Sequence, residues 1–310
     1  MKKLFFFAAA ASVMLAACSS DNEEVKVAEN SPIRLSTQSL TGLTRAGQSV
    51  QLTQFAANEN VGIFLAEDNV GTAVTTGTNV TTYSQPLTYV ADGAGNLSNT
   101  QYWPQDGNGL HIFGVYPLAA ATTAAAYNAT GVSFSVAANQ TADDNYKASD
   151  LMTGLPTAGN PVARTTSAVP MTFTHLLTKI DVNLTAGSGF TQDEMSNAVV
   201  SILGTKPTTT FNVQNATIGA ASGTAAAIVA GTGAANSAII VPQEVAAGNF
   251  IQVAVGGGNY IYALTAATTF DAKKCYIYNI TVNKTGLVLT VTTITDWVAG
   301  GSASGSATLQ

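Results

Sequence analysis

Charged residues are scarce in this sequence. They make up 10% of the 310 residues, compared with about 25% in an ordinary soluble domain. The net charge is −6 at pH 7, so the chain has no basic surface to neutralise phosphates, and nucleic-acid binding as a main role is excluded. Small and hydroxyl residues replace the missing charge, and threonine in particular suits a half-exposed strand surface. The composition therefore favours a β-rich protein over a helical bundle.

Cysteine and histidine are also few, with two of each. Cys18 and Cys275 cannot build a disulfide framework, and His111 and His175 lack cysteine or histidine neighbours at the spacing of a zinc site. Catalysis would rest on carboxylates or hydroxyls alone, and the sequence contains no motif for either. We therefore predict no enzyme activity, no metal and no cofactor. Cys275 stands beside two lysines, which can lower a thiol pKa, but we interpret it as a small strand residue without an assigned role.

The N-terminal hydrophobic segment is too short to cross a membrane. Residues 4–17 are predominantly apolar and follow two lysines, whereas a membrane-spanning helix needs about 20 apolar residues. The pattern is typical of a signal peptide. It ends in Leu-Ala-Ala-Cys at Cys18, which resembles a bacterial lipobox. We predict that residues 1–17 are removed and that acylated Cys18 anchors the chain in outer-membrane lipid. The alternative is an ordinary signal peptide followed by a chance cysteine.

The residues directly after Cys18 are polar and acidic. Residues 19–24 read Ser-Ser-Asp-Asn-Glu-Glu, a composition that cannot join a hydrophobic core and favours a solvated tether. The segment also resembles the acidic export signals of Bacteroidetes surface lipoproteins. Together with the lipobox, it predicts a location at the cell surface.

From residue 31 onward the pattern is typical of β-strands. Short apolar alternations are separated by Gly, Asn, Asp and Pro, without a helical period of 10–15 residues between them, which favours β-sandwiches over βαβ units. We predict one helical turn, at residues 191–197. The best domain boundary is the polar stretch at residues 151–167, which predicts a tether and propeptide with the first strand over 18–45, one sandwich over 46–165 and a second over 166–310.

Several short motifs follow one another along the chain. The plain interpretation is that their aromatic rings fill a core, that prolines end strands, and that His175 is a satisfied core or edge histidine and not a ligand. Taken in order, however, they resemble the Bacteroidetes fimbrillin family, the Mfa-like subunits of type V pili. Besides the lipobox, the motifs are Tyr102-Trp103-Pro104, Phe113 with Tyr116-Pro117, Asp150-Leu151-Met152, Phe173 with His175, Lys179, Ile180 and Val182, Ile240-Val241-Pro242-Gln243, Tyr276 with Tyr278, Ile280 and Val282, and Ile294 with Trp297.

The resemblance implies two tandem Greek-key, transthyretin-like β-sandwich domains. It also implies proteolytic processing after an arginine in the loop that follows the first strand, which here is the Arg45–Ala46 bond. The flanking glycines supply the extended, mobile backbone that a trypsin-like protease needs. A surface loop that happens to carry an arginine is the alternative.

Family subunits assemble by strand exchange, which the resemblance implies for this chain too. Residues 31–37 would complete the first sandwich as an edge or inserted strand, and their removal would leave an apolar groove with unpaired backbone groups. The implied donor strand contains Leu287, Leu289 and Val291, which alternate toward one face. The implied function is a structural or accessory fimbrial subunit, with other fimbrial subunits and a processing protease as partners.

Two other classes of function stay open. The first is a glycan-binding surface lipoprotein that remains anchored, in which Trp103 and Tyr116 stack on surface glycans; this version requires exposed rings. The second is a hydrolase that uses the scattered carboxylates of Asp143, Asp144 and Asp150, although adjacent acidic residues in a loop are normally solvated.

Overall fold

The computed structural model describes residues 31–37, 54–68, 83–121, 131–297 and 304–305. Nearly all regular structure in these ranges is β-strand, which confirms the predicted all-β class. None of the helices in the described ranges is both long and apolar enough to cross a membrane.

One 3₁₀ turn and one short α-helix lie among the first eight strands. In chain order they are β1 Leu35–Thr37, β2 Asn60–Glu67, β3 Tyr83–Ala91, β4 Asn96–Ser98, β5 Leu110–Tyr116, a 3₁₀ turn at Leu118–Ala121, β6 Val132–Ser135, α1 Asp143–Ser149, β7 Met152–Pro156 and β8 Val169–His175.

The later elements are almost entirely strands. They are β9 Thr178–Ala186, α2 Gln192–Met195, β10 Val199–Thr205, β11 Thr208–Asn212, β12 Thr217–Ile218, β13 Ala226–Thr232, β14 Ala235–Ile240, β15 Gln243–Val245, β16 Gly248–Val255, β17 Gly258–Leu264, β18 Thr268–Phe270, β19 Lys274–Asn283, β20 Gly286–Asp296 and β21 Ser304–Gly305.

The first sheet closes on itself. Its order is β1-β4-β3-β2-β5-β7-β8, and β8 pairs with β1 to complete the ring. One core fills its interior, formed by aliphatic side chains of several strands together with Phe55, Trp103 and Phe173. The Phe173 ring lies so close to Gly114 and Gly154 that a Cβ at either glycine would approach it to 2.6 Å. Two paired strands thus carry glycine where the ring crosses them.

The second half contains two larger sheets. One has four strands in the order β13-β10-β16-β17, and the other has five in the order β14-β9-β19-β20-β21. The five-stranded sheet is mixed, because β19 pairs in parallel with β9 and antiparallel with β20. A single core contains side chains of both sheets, including Val200, Phe250, Tyr278 and Ile280. This layered arrangement is typical of a β-sandwich.

Strands on each side of residue 165 pair with strands of the other half. β8 follows this residue and closes the first sheet, whereas β6 precedes it and pairs with β11 in a three-stranded sheet with β12. The larger core also includes Phe64 and Phe113, which lie on the first sheet. The two halves therefore share buried apolar surface, and the proposed boundary at 165 stays a prediction.

The helices differ from expectation in one place. The predicted turn at 191–197 is α2, and its start has a capping box in which Thr191 and Glu194 each bond the other's backbone N–H. The helix α1 was not predicted. Its first turn carries Asp143 and Asp144, which favour a helix N-terminus, but seven residues are too few to show an apolar stripe.

Candidate functional site: the inserted first strand and the C-terminal strand

Residues 31–37 form an extended segment that ends in β1, and this segment has two kinds of side-chain position. Ser31, Ile33, Leu35 and Thr37 are buried, whereas Arg34 between them is exposed. This alternation follows from the period of two in an extended chain. Ile33 and Leu35 belong to the core of the closed sheet, and full burial of each aliphatic side chain stabilises a fold by about 1.5–3 kcal/mol.

The backbone of the same segment is hydrogen-bonded on both sides. Toward the residues that flank β4, the Ile33 N–H donates to the Gln101 carbonyl at 2.8 Å and the Thr37 N–H to the Gly95 carbonyl at 2.7 Å. Toward β8, the Val169 N–H donates to the Arg34 carbonyl at 2.8 Å. The segment is thus an inserted strand, antiparallel to β4 and parallel to β8.

We call the position between β4 and β8 that residues 31–37 occupy the acceptor site. Removing the segment would expose backbone donors and acceptors of both neighbouring strands together with the space left by Ile33 and Leu35. Unpaired backbone groups at a strand edge bind another extended chain readily. The acceptor site can therefore hold one strand of seven residues with alternating inward side chains.

The implied donor residues lie in β20, where they pair with β19. Leu287 stands opposite Val282 and Leu289 opposite Ile280. Both leucines are half-buried and pack against the core of the second half, whereas Val288 between them is 54% exposed. In the described residues, β20 has a second neighbour at its end, where Ile294 and Thr295 pair with β21.

A β-bulge interrupts β20 within the donor segment. Val291 stands opposite Asn279, but Leu289 stands opposite Ile280, so Thr290 is an extra residue in the ladder. A bulge shifts the register by one residue, and positions on either side of it no longer continue one alternation. Within its own sheet, the period-two pattern of Leu287, Leu289 and Val291 is therefore broken.

The chain directly after β20 is fixed by a buried aromatic stack. The ring of Trp297 stacks on that of His175, with centroids 4.0 Å apart and planes 12° from parallel. Nδ1 of His175 lies 2.7 Å from Oδ1 of Asp150. The backbone N–H of Trp297 donates to the Lys273 carbonyl at 2.7 Å. All three stacked or paired side chains are buried.

This cluster joins three of the sequence motifs that lie far apart in the chain. Asp150 follows α1, His175 ends β8 and Trp297 follows β20, so the cluster ties the C-terminal strand to the end of the first sheet. His175 was interpreted as a satisfied core or edge histidine, and the structure places it in the core, paired with Asp150. The sequence does not predict that these three residues meet, because nothing local in it signals the contact.

The rings proposed to stack on glycans are not accessible. Trp103 is 2% and Tyr116 is 3% exposed. The Tyr116 hydroxyl donates to Oε2 of Glu59 at 3.2 Å, and burial raises the pKa of Tyr116. The version of the glycan-binding hypothesis that uses these two rings is therefore wrong, because both are core side chains of the closed sheet.

The three carboxylates considered for catalysis lie at the start of a helix or are paired with a histidine. Asp143 and Asp144 lie in the first turn of α1, and Asp150 pairs with His175. Within the described ranges, no group of three or more His, Cys, Asp or Glu side chains gathers as metal ligands.

Cys275 is buried in β19 beside a polar group of the same sheet. Its Sγ donates to Oδ2 of Asp181 at 3.3 Å, and Nζ of Lys179 lies 3.2 Å from the same oxygen. Burial raises the pKa of the Cys275 thiol. A raised pKa opposes reactivity, and it agrees with the interpretation of Cys275 as a small strand residue.

Three predicted site residues lie outside the described residues. They are Cys18, Arg45 and Ala46. Lipidation of the first and cleavage between the other two stay predictions.

Comparisons with known proteins give one consistent result. The chain is similar to a candidate cell adhesion protein from Bacteroides uniformis, with 21% identity and a TM-score of 0.59 over 87% of this chain and 100% of the other. It is also similar to a candidate cell adhesion protein from Bacteroides ovatus, with 17% identity and a TM-score of 0.66 over 87% of this chain and 98% of the other. These likenesses show a common fold. A search among curated proteins finds no match.

A family model described as fimbrillin-like matches residues 44–297. This range contains β2 to β20 and ends on Trp297, so it includes most of both halves. Fimbrial subunits are not enzymes, which confirms the prediction that this chain has no enzyme activity. The resemblance inferred from the ordered motifs is likewise confirmed, and the chain belongs to the fimbrillin-like family.

Proposed function

We propose that this protein is a structural or accessory subunit of a type V fimbria, exported as a lipoprotein through Cys18, processed after Arg45 and polymerised by strand exchange. Membership of the fimbrillin-like family supports a fimbrial or adhesive role at the cell surface. The observation that carries the proposal is the inserted position of residues 31–37, which lie between two strands of an otherwise continuous sheet.

The part of this proposal that concerns the acceptor site rests on the order of segments along the chain. The inserted strand precedes Arg45, and a cut after Arg45 would separate it covalently from β2 and the rest of the sheet. The pairing of β1 spans only three residues, so the separated segment would be held by few hydrogen bonds and by the burial of Ile33 and Leu35. An occupant with a longer or more apolar strand would replace it.

The part of this proposal that concerns the donor strand requires more rearrangement of the structure. β20 has ten register pairs with β19, and the Trp297 stack fixes its end. Donation would break these contacts and restore equivalent ones in the acceptor site of the next subunit. This exchange is favourable when the donor strand fits the acceptor site better than it fits its own sheet. It is slow because the contacts of β20 with β19 must break first.

The test is an Arg45→Ala variant expressed in a bacterium that assembles the fimbria. We expect the variant to keep its precursor size on denaturing gels and to form no ladder of high-mass species. Arg34→Ala is the matched control, because Arg34 is an exposed arginine of the same segment that lies within the paired strand. The control should mature and polymerise like the unaltered chain. Normal maturation and an unchanged ladder in Arg45→Ala would contradict the proposal.

A further inference from the structure

An open cleft lies beside α1, at the end of the closed sheet where β2 begins and β5 ends. Its volume is about 480 Å³, within the range of about 300–1,000 Å³ that small-molecule sites occupy. Asn58, Glu59 and Asn60 line the cleft at the start of β2. Asp144 and Lys147 line it from α1. Segments that lie far apart in the sequence therefore form one concave surface.

One part of the cleft is a fixed polar array. Glu59 accepts two hydrogen bonds, one at Oε2 from the Tyr116 hydroxyl at 3.2 Å and one at Oε1 from Nζ of Lys147. Tyr116 is buried, and the side chains of Lys147 and Glu59 are only 26% and 20% exposed. These groups are held in place without a ligand, so a ligand that binds beside them does not have to order them.

Three further polar side chains line the cleft and bind nothing in the described structure. Asn58, Asn60 and Asp144 are exposed, and within the described ranges their side chains make no hydrogen bond or ion pair. Asn58 has a φ of 69°, and its backbone N–H donates to the Ala91 carbonyl at 2.8 Å, which fixes the turn. A carboxamide offers donors and an acceptor, and a carboxylate offers acceptors only. The three groups together can bind several hydroxyls.

The rest of the lining is largely apolar. Pro86 of β3 is half-buried along the cleft, as are Pro117 and Leu118 after β5. Apolar walls with a small number of placed polar groups are typical of small-molecule sites. A matching ligand has both C–H surface and hydroxyls. A sugar ring has this combination, because its hydroxyls project around the edge and its C–H bonds form apolar faces.

We propose that this cleft binds a neutral saccharide, whose hydroxyls bond to Asn58, Asn60 and Asp144. A C–H face of the sugar ring packs on Pro117 and Leu118. The inference goes beyond the proposed function, and it depends neither on processing nor on strand exchange. It also requires no exposed aromatic ring.

Other classes of ligand match the cleft less well. An anion would meet the carboxylates of Glu59 and Asp144, whereas the only ammonium group among the described lining residues, that of Lys147, already pairs with Glu59. An extended peptide binds by joining a strand edge, but β2 already pairs with β3 and with β5. A neutral ligand rich in hydroxyls meets neither obstacle.

The experiment titrates the full-length chain with individual sugars and detects the bound sugar by saturation-transfer NMR. The neutral members of the panel are glucose, galactose, mannose, fucose and N-acetylglucosamine. N-acetylneuraminic acid is the anionic comparator, and glucosamine is the cationic one.

Two substitutions remove or weaken polar groups of the cleft without altering the core. Asn58→Gly keeps the positive φ, which glycine adopts freely, and Asp144→Asn keeps the size of the side chain. Asp143→Asn is the matched control, because Asp143 lies in the same helical turn but is not among the described residues that line the cleft. Chemical denaturation of each variant checks that the fold is kept.

We expect at least one neutral sugar to bind saturably. Asp144→Asn should weaken its binding about tenfold, as the loss of a hydrogen bond to a charged group does. Asn58→Gly should weaken it severalfold, and Asp143→Asn should leave it unchanged.

Three results would overturn the proposal: no saturable binding of any neutral sugar, binding of only the charged comparators, or equal affinities in the cleft variants and the control. None of these results concerns polymerisation, so the proposed function stands or falls separately.

Discussion

The N-terminal segment 31–37 and the last long strand, β20, are held in opposite ways. Residues 31–37 have neighbours on both sides but few hydrogen bonds, and they depend on two fully buried aliphatic side chains. β20 has ten register pairs on one side and half-buried leucines, and Trp297 fixes its end. The number of paired residues therefore does not measure how firmly a strand is held. Buried side chains decide more of the free energy than ladder length.

The largest expected effect is on the end of β20. Trp297→Ala removes the stack on His175, and we expect the free energy of unfolding to fall by about 3–5 kcal/mol, as for other fully buried tryptophans. Chemical denaturation of the purified chain measures this. Tyr102→Ala is the control, because Tyr102 is 50% exposed and its loss should change stability by about 0.5 kcal/mol or less. Equal effects of the two substitutions would contradict a fixing role for Trp297.

A somewhat smaller effect is expected in the first strand. Leu35→Ala should lower the free energy of unfolding of the unprocessed chain by about 3 kcal/mol, because Leu35 is buried in the core of the closed sheet. The effect should be absent once residues 1–45 have been removed. Denaturation before and after proteolysis measures both values. Ser36→Ala, at a half-exposed position of the same strand, should have little effect. A large loss that persists after proteolysis would mean that the segment stays bound.

The smallest effect concerns the middle of β20. Leu289→Ala should cost about 1 kcal/mol, since the side chain is half-buried and loses about half the transfer free energy of a core leucine. It is predicted to destabilise the chain less than Leu35→Ala even though β20 is the longer strand. Denaturation under the same conditions compares the two. A larger loss at Leu289 than at Leu35 would reverse the comparison between the strands.

The sequence predicts those features that depend on local pattern. Alternation and turn residues predict the all-β class, and the sequence also predicts the helical turn at 191–197, where the structure has α2 with a capping box at its start. The apolar surroundings of His175 in the sequence predict a satisfied core or edge histidine, which the structure places in the core. The order of the motifs also predicts the family, although each motif alone is short and apolar.

Features that depend on distant contacts could not be predicted in this way. The parallel pairing of β1 with β8 joins strands far apart in the chain, and the meeting of Asp150, His175 and Trp297 has no local signal. An aromatic residue beside a proline has the same pattern whether its ring is exposed or buried, so the sequence left a glycan-stacking ring open as an alternative at Trp103; the burial of this ring confirms the plain interpretation that it fills the core. The bulge at Thr290 is set by the register with β19 and leaves no trace in the alternation of its own segment.

The closure of the first sheet has a consequence for timing. While residues 31–37 are in place, every strand of that sheet in the described structure has a neighbour on each side, so crowding of many copies in one compartment would not by itself start their association there. Assembly would then be started by cleavage of the Arg45–Ala46 peptide bond, which is not reversed, and not by a rise in concentration, which is reversible. Under the proposed function, assembly begins where the protease is located and not where the protein is most abundant.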